Sequence, residues 1–304
     1  MKKIVYCGSP EFAVKPLEKL VEKGYNVIAV ISNEDKPVGR KQILTPTAVK
    51  SCAQQLGLPV YTYKSIRKQG VEDLKNLAPD IVITCAFGQI LSQELLDIPS
   101  LTLNIHGSIL PKYRGAAPIE KAVIDGEKTT GITIMRTDAG IDTGDMLFSR
   151  EIAIGETETA GELAERLSVL GAECIIDALE MIESGNYAFT KQDETKATYV
   201  KTFSKEDAKI DFTKPSKAVV NHIRGFNPRP IAFTIYHSEP LKIFSGVAVE
   251  GKGNAGEILS DTEFIVACGD GAIKILELQK AGGKKMQTPD FLRGNKLIKG
   301  EILG

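Results

Sequence analysis

The stretch Lys3-Ile4-Val5-Tyr6-Cys7-Gly8-Ser9-Pro10-Glu11 joins a short apolar run to a helix start. Its first five residues have the length and the β-branched and aromatic content of a buried strand. The next residues are typical of a helix start, with Ser9 as N-cap, Pro10 at the first helical position and Glu11 in the first turn. A strand followed at once by a helix opens a βαβ unit, which predicts a parallel sheet covered by helices.

The same alternation continues through the first half of the chain. Apolar runs over 27–31, 80–86 and 101–106 predict further strands, and an amphipathic stretch over 46–56 predicts a helix. In open α/β sheets, ligands bind beyond the carboxyl ends of the strands. We therefore expect chemistry at the polar end of the run 101–106.

The pattern changes in the last third of the chain. A long helix opens before it with a capping box formed by Thr159 and Glu162. The polar segment 189–204 has no periodicity, and the short strand-like runs that follow it are typical of a small β-barrel. We predict an α/β domain over 1–188, a linker over 189–204 and a β-barrel domain over 205–304.

Composition and charge exclude several classes of protein. The 304 residues carry 38 Lys+Arg and 39 Asp+Glu, a net charge of −1, and 42% of them are hydrophobic. This is ordinary for a folded protein, and it excludes both a disordered chain and a surface that is basic overall. Residues 205–304 hold 15 basic and 12 acidic residues. A local basic patch in the last third therefore stays open.

The cysteines and the apolar runs indicate an intracellular protein. The five cysteines lie far apart, with no Cys-x-x-Cys pair and no Cys/His cluster at metal-ligand spacing, so no structural zinc is expected. The N-terminal apolar run is too short for a signal peptide, and no run reaches the ~18 apolar residues of a membrane span. We expect a cytoplasmic protein without a membrane partner.

The strongest candidate for chemistry is the stretch 104–118, Asn-Ile-His-Gly-Ser-Ile-Leu-Pro-Lys-Tyr-Arg-Gly-Ala-Ala-Pro. Side chains two residues apart in a strand point to the same side, so Asn104 and His106 present an amide and an imidazole together. Acyl transfer needs such a pair, a donor for the oxyanion and a group of near-neutral pKa that takes a proton. The residues alone are also compatible with a structural histidine at a strand end.

A second loop, 138–145, carries Asp138, Asp142 and Asp145 together with two glycines. One of these carboxylates could orient an imidazole and stabilise its protonated form, as in catalytic triads. An acidic turn is the other interpretation that the residues allow. The EF-hand spacing is not matched, so no metal site is expected here.

Five stretches together resemble the 10-formyltetrahydrofolate-dependent formyltransferase family. They are residues 8–13, 104–118, 138–147, 224–228 and 291–294. The stretch 104–118 is shared across that family. Its Gly-Ala-Ala-Pro ending, and the Asp-Thr-Gly-Asp-Met-Leu ending of 138–147, are typical of the branch that acts on methionyl-tRNA.

The resemblance implies a Rossmann-like formyltransferase domain followed by a small OB-like β-barrel domain that helps to hold tRNA. It implies transfer of the formyl group of 10-formyltetrahydrofolate to the amino group of methionyl-initiator tRNA, by a monomer that needs no metal ion. The residues that it assigns are Asn104, His106 and Asp142 for catalysis, Ser108, Ile109, Leu110 and Pro111 for folate binding, and Lys36, Arg40 and Lys41 for contact with the tRNA acceptor stem.

Three alternative hypotheses are enzymes that differ in the acceptor, and a fourth is not an enzyme. A sugar-nucleotide N-formyltransferase would use the same donor and the same three catalytic residues, but it has no reason to carry the basic loop 36–41. A glycinamide ribonucleotide transformylase is normally one short domain, and a formyltetrahydrofolate hydrolase would use water. A non-catalytic RNA-binding protein would leave the three residues without a purpose.

Three positions at which the family commonly has Trp are occupied by other residues in this chain, which has no Trp at all. They are Tyr113, Phe212 and Arg229. Tyr and Phe keep an aromatic ring, so we expect packing to survive there. Arg229 is a change of chemistry, and the sequence leaves its role open.

Overall fold

The computed structural model describes residues 1–39 and 41–304, which form two compact units. The first unit consists of Met1–Pro118, Thr129–Ile152 and Ala164–Lys201. The second unit consists of Ile119–Lys128, Ala153–Leu163 and Thr202–Gly304. Two early segments, both before residue 164, therefore belong to the second unit.

Strands and helices alternate along the first 200 residues. The strands are β1 (Ile4–Gly8), β2 (Val27–Asn33), β3 (Lys36–Val38), β4 (Ile43–Thr45), β5 (Val60–Tyr63), β6 (Ile81–Cys85), β7 (Leu101–His106), β8 (Arg114–Gly115), β9 (Thr129–Arg136), β10 (Met146–Ala153) and β11 (Tyr199–Val200). The helices are α1 (Val14–Glu22), α2 (Ala48–Gln55), α3 (Ile66–Gln69), α4 (Val71–Leu77), α5 (Gln93–Leu96), α6 (Pro118–Ile124) and α7 (Ala160–Ser184).

Seven strands of the first unit form one sheet in the order β10-β9-β7-β6-β1-β2-β5. The pairs β1–β2, β2–β5, β1–β6 and β6–β7 are parallel, and β7–β9 is antiparallel. The chain builds outward from β1 to one side and then crosses to the other side with β6. The carboxyl ends of β1 and β6 are thus the point where the strand order reverses, and this is where open α/β sheets bind ligands.

The central strands of this sheet are buried on both faces, as expected for a parallel sheet between helical layers. Every residue of β1 and β6 is buried. On one face, Val5 and Cys7 pack with residues of β2 and β6. On the other, the Tyr6 hydroxyl donates a hydrogen bond to the Ala13 carbonyl at 2.6 Å, which ties the strand to the segment that leads into α1.

The second unit contains an antiparallel sheet in the order β12-β13-β15-β14, with β16 beside β15. Its elements are α8 (Ser216–Gly225), β12 (Phe233–Tyr236), β13 (Glu239–Val249), β14 (Ile265–Ala267), β15 (Ala272–Gln279), β16 (Met286–Gln287) and α9 (Thr288–Gly294). The pairing of β13 with β15 shifts register on both sides of Ser245, and such bulges bend a strand and increase its twist. The result is a curled half-barrel around a core of its own.

A buried arginine attaches one of the early segments to the second unit. Arg224 of α8 donates hydrogen bonds to the carbonyls of Gly155 and Glu158 at 3.2 and 2.9 Å. In the other early segment, Ile124 packs against the core of this unit. These contacts explain why residues that precede α7 lie with the last third of the chain.

The predicted architecture, a mostly parallel α/β unit followed by a curled antiparallel one, is confirmed. The capping box at Thr159 is confirmed as well, because the Glu162 carboxylate accepts from the Thr159 amide at 2.8 Å. Ser9 as a helix N-cap is wrong: α1 begins only at Val14, after a 3₁₀ turn, and the Ser9 hydroxyl accepts from Asn33 Nδ2 at 2.8 Å instead.

The segment 189–204 does not run as an extended connection throughout. Residues up to Lys201 belong to the first unit, where the side chains of Gln192 and Glu194 bind the Arg114 guanidinium. A polar, unperiodic stretch can be ordered in this way when its side chains satisfy a buried charge. The domain boundaries at 188 and 205 stay a prediction.

No helix in the described part of the chain has both the length and the apolar character needed to cross a membrane.

Candidate active site

Asn104 and His106 lie at the carboxyl end of β7, next to the strand-order reversal. In the parallel register with β6, Thr84 lies opposite Asn104. The Thr84 hydroxyl donates to Asn104 Oδ1 at 2.9 Å. Because the amide oxygen is held by this bond, the amide nitrogen is the end that is presented to other groups.

The hydrogen bond of His106 assigns its tautomer. The imidazole is buried, with 5% of its surface exposed. Its Nε2 lies 3.0 Å from the Tyr113 carbonyl, and because a carbonyl only accepts, Nε2 must carry the hydrogen. In the neutral ring, Nδ1 is therefore the nitrogen that can take up a proton.

Asp142 connects these groups. Its Oδ2 lies 3.6 Å from His106 Nδ1 and accepts a hydrogen bond from the Gly115 amide at 2.8 Å. Its Oδ1 accepts from Asn104 Nδ2 at 3.2 Å. One carboxylate thus faces both the amide and the imidazole, and it is placed to stabilise a positive charge on the ring.

Two glycines allow the loops around this cluster to approach other backbone closely. Gly115 has a φ of +108°, and a Cβ there would lie 2.3 Å from the Val200 carbonyl oxygen. A Cβ on Gly144 would lie 1.9 Å from the Arg136 carbonyl oxygen. Both distances are impossible for a side chain, so these positions require glycine for the loops to keep their course.

The four residues expected to bind folate differ in their accessibility. Ser108 is fully buried, and its hydroxyl donates to the Lys112 carbonyl at 2.6 Å. Leu110 is also buried, whereas Ile109 and Pro111 are only partly buried. Ile109 and Pro111 therefore have side-chain surface for a ligand, and Ser108 holds the shape of the loop.

A second carboxylate of this loop, that of Asp138, serves the turn itself. Asp138 accepts hydrogen bonds from the Gly140 amide at 3.1 Å and from the Thr143 hydroxyl at 2.8 Å, an Asx turn on the surface. Across residues 1–39 and 41–304, no group of three or more His, Cys, Asp and Glu side chains is arranged to hold a metal ion.

Comparisons with known proteins match both units of this chain. A family model described as formyl transferase matches residues 1–179, and a model of the formyl transferase C-terminal domain matches residues 202–296. The methionyl-tRNA formyltransferase of Geobacter sulfurreducens is 46% identical over 99% of this chain and 96% of its own length. That of Ruminiclostridium cellulolyticum is 44% identical over 99% of both chains. The chain belongs to the methionyl-tRNA formyltransferase family.

Solved structures agree on the fold. The N-formyltransferase of Helicobacter canadensis, crystallised with folinic acid and dTDP-3-aminofucose, superposes with a TM-score of 0.70. It is 22% identical, and the match covers 94% of this chain and all of that one. At this identity the likeness concerns the fold alone.

The basic loop that members of this family are expected to use for tRNA forms a hairpin of β3 and β4. Lys36 and Lys41 are exposed, and Arg40 lies outside the described residues. The hairpin also exposes Ile43 and Leu44, at 61% and 64% of their surface. The hairpin thus presents exposed lysines, which can pair with phosphates, beside exposed aliphatic side chains.

Sequence reasoning missed the groups that hold the catalytic cluster in place. Thr84 could have been found, because it lies in the strand expected beside Asn104. Gln192 could not, because it lies in a polar segment without periodicity. Its amide nitrogen nevertheless donates to the carbonyls of Asp142 and Gly144, at 2.8 Å in each case.

The three positions without Trp have different surroundings. Tyr113 and Phe212 are buried, so an aromatic ring packs at each. Arg229 is exposed, and no hydrogen bond or ion pair joins it to another described residue. Its environment gives no structural account of the change.

A cavity of about 510 Å³ lies at the other end of β7, and it is lined by Leu101, Thr102, Arg136 and Tyr187 among others. Because a strand rises about 3.3 Å per residue, this cavity is roughly 10 Å or more along the strand from His106. It is separate from the cluster around Asp142.

Proposed function

We propose that the chain transfers the formyl group of 10-formyltetrahydrofolate to the amino group of methionyl-initiator tRNA. The observation that carries the proposal is the contact of Asp142 with both Asn104 and His106 at the carboxyl end of β7. The membership in the methionyl-tRNA formyltransferase family supports the choice of acceptor. The match to these relatives covers nearly the whole of both chains.

Asn104 is proposed to stabilise the oxyanion. An amide nitrogen has two N–H groups, and Asp142 accepts from one of them. The second can donate to the formyl oxygen as it becomes negative during attack by the methionyl amine. A preorganised donor of this kind lowers the barrier because it is already aimed when charge develops.

His106 and Asp142 are proposed to remove the amine proton. His106 Nε2 is engaged with the Tyr113 carbonyl, so Nδ1 is the proton acceptor. The proton would then lie between His106 and the carboxylate of Asp142, whose Oδ2 is 3.6 Å from Nδ1. An ion pair formed there offsets the cost of charging a buried ring. Collapse of the tetrahedral intermediate would break the bond between the formyl carbon and N10 of the folate, and N10 would take up this proton as tetrahydrofolate leaves. Closure to hydrogen-bond distance is expected once substrates are bound.

The donor is proposed to bind beside β6 and β7. Residues 86–90 leave the sheet next to His106, because Cys85 pairs with Ile105. This loop exposes Ile90, and Ile109 and Pro111 are partly exposed in the loop after β7. These side chains can pack against the ring faces of a folate, which supplies a formyl carbon activated for attack by an amine.

The acceptor is proposed to be held by the β3–β4 hairpin and by the second unit. Lys36, Arg40 and Lys41 are the residues expected to meet the acceptor stem. The hairpin is anchored at its base by an ion pair of 2.7 Å between Lys50 and Asp35. We also infer a cytoplasmic monomer, and the five cysteines, all free and buried, fit a reducing compartment.

An assay that supplies each possible acceptor separately tests this function. The purified chain is incubated with 10-formyltetrahydrofolate and either methionyl-initiator tRNA, a dTDP-amino sugar or no acceptor. Formylation of the tRNA alone is expected. Formylation of the sugar would indicate a sugar-nucleotide N-formyltransferase, and formate release without an acceptor would indicate a hydrolase.

A further inference from the structure

The side chain of Gln192 lies between two parts of the first unit. It is 8% exposed, and its Nε2 donates to the main-chain carbonyls of Asp142 and Gly144, at 2.8 Å in each case. Its Oε1 accepts from Arg114 Nε and Nη2, at 3.0 and 2.8 Å. Both N–H groups and both lone pairs of this amide are therefore used.

Arg114 determines which way the amide points. A guanidinium only donates, so it must face Oε1 of Gln192, and Nε2 is then directed to the loop of Asp142. Arg114 is fully buried, and two of its other N–H groups bind the two carboxylate oxygens of Glu194, at 2.8 and 2.7 Å, while a third donates to the Tyr199 hydroxyl. Glu194 raises the pKa of Arg114, which keeps the guanidinium charged.

The turn that Gln192 bridges carries the carboxylate of the active site. Asp142 has a φ of +52°, in the left-handed region that non-glycine residues adopt at a cost. The two carbonyls bound by Gln192 flank Thr143, so the amide closes this turn from outside. The Gly115 amide, next to Arg114 in sequence, holds Asp142 Oδ2 directly.

We propose that Gln192 is a positioning residue for catalysis, which acts by fixing the turn that aims Asp142 at Asn104 and His106. The inference rests on the proposed function, because it assigns the carboxylate of Asp142 to the transfer step. Among the described residues, the side-chain hydrogen bonds of Gln192 go to main-chain carbonyls of the loop and to Arg114. Its effect on turnover must therefore pass through Asp142.

The test variant is Gln192→Glu, measured for kcat and for the KM of each substrate. A carboxylate still accepts from Arg114, so the buried guanidinium stays paired, but both donors to the loop are lost. Misplacement of a catalytic group by about 1 Å can cost about 100-fold in rate. We expect kcat to fall by about 10- to 100-fold, with both KM values within about twofold of wild type.

The matched control is Asp193→Ala in the same segment. The Asp193 carboxylate accepts from Thr195 and pairs with Lys196, and it makes no contact with the loop of Asp142. Wild-type kcat is expected for this variant. If Gln192→Glu fails to fold by circular dichroism, Gln192→Met, which is neutral and of similar size, takes its place with the same expectation.

A double-mutant cycle separates a positioning role from a general structural one. In the Asp142→Ala background, Gln192→Glu should change kcat by less than about twofold, because the carboxylate that it positions is already gone. If the losses in kcat of the two single variants multiply in the double variant, the proposal is overturned. Wild-type kcat in Gln192→Glu while Asp142→Ala is impaired would also overturn it. A wild-type chain that fails to formylate methionyl-tRNA would overturn the proposed function as well.

Discussion

The first unit contains a buried histidine, His106, and the second a half-buried one, His222, and the two rings have different surroundings. His106 in the first unit has Nε2 bound to a carbonyl and Nδ1 facing the Asp142 carboxylate. His222 in the second unit packs on Phe226, with ring centroids 4.7 Å apart. Its Nε2 is buried and has no hydrogen-bond partner in the described part of the chain.

The difference teaches that burial alone does not prepare a histidine to take up a proton. Burial disfavours the charged ring and lowers the pKa of His222, and a hydrogen bond with the Ala208 backbone and the charge of Asp211 oppose this shift only in part. A ring in that setting favours the neutral form and serves packing, since it contacts Phe226 and no carboxylate of the described residues pairs with it. His106 differs because a carboxylate is at hand to stabilise the proton that it would take up.

Replacing each histidine in turn is the strongest test of this difference. His106→Ala is expected to lower kcat by about 10²–10⁴-fold, because a general base contributes about that much. His222→Leu is the matched control, and its kcat per folded molecule should stay within about twofold of wild type. Single-turnover formylation of methionyl-tRNA measures both. Near-wild-type turnover in His106→Ala would remove the ring from the mechanism.

Two asparagines allow the same contrast for the oxyanion donor. Asn104→Ala is expected to cost about 10²–10³-fold in kcat with little effect on KM. Asn221 of α8 is the control, since its Oδ1 accepts from Arg224 Nε at 2.9 Å. Asn221→Ala should keep kcat but lower the free energy of unfolding by about 1–3 kcal/mol, because it leaves a buried donor unpaired. An equal loss of kcat in both variants would contradict the role of Asn104.

The same contrast explains what the sequence could predict. Strand periodicity and the strand-end rule predicted that Asn104 and His106 share one face at the carboxyl end of a strand, and the family resemblance added Asp142. The sequence could not predict the tautomer of His106, because it depends on the carbonyl of Tyr113, which reaches Nε2 only through the course of the loop. Nor could it predict Gln192, whose contacts are with main-chain atoms about 50 residues away in the chain.

The hairpin should show a smaller effect, confined to one substrate. Lys41→Ala is expected to raise the KM for tRNA several-fold and to reduce the slope of log KM against log salt by about one, as for one lost phosphate contact. The KM for the folate donor should not change. Lys23→Ala, an exposed lysine at the end of α1, is the control and should affect neither KM. Equal weakening of both substrates by Lys41→Ala would argue against a tRNA contact.

The smallest expected effect is on the pH dependence of stability, and it follows from the lowered pKa of His222. The unfolded chain has this pKa near its usual value of about 6.5. Between the two values the unfolded state binds more protons, so His222 contributes its full stability above about pH 6.5 and loses it as the pH falls. His222→Leu removes this pH-dependent contribution to the free energy of unfolding. Urea unfolding at pH 8 and pH 5.5 should therefore show a smaller loss of unfolding free energy for the variant than for wild type. An identical loss in the two proteins would mean that His222 is no harder to protonate in the folded chain than in the unfolded one, and the contrast with His106 would then rest on the Asp142 contact alone.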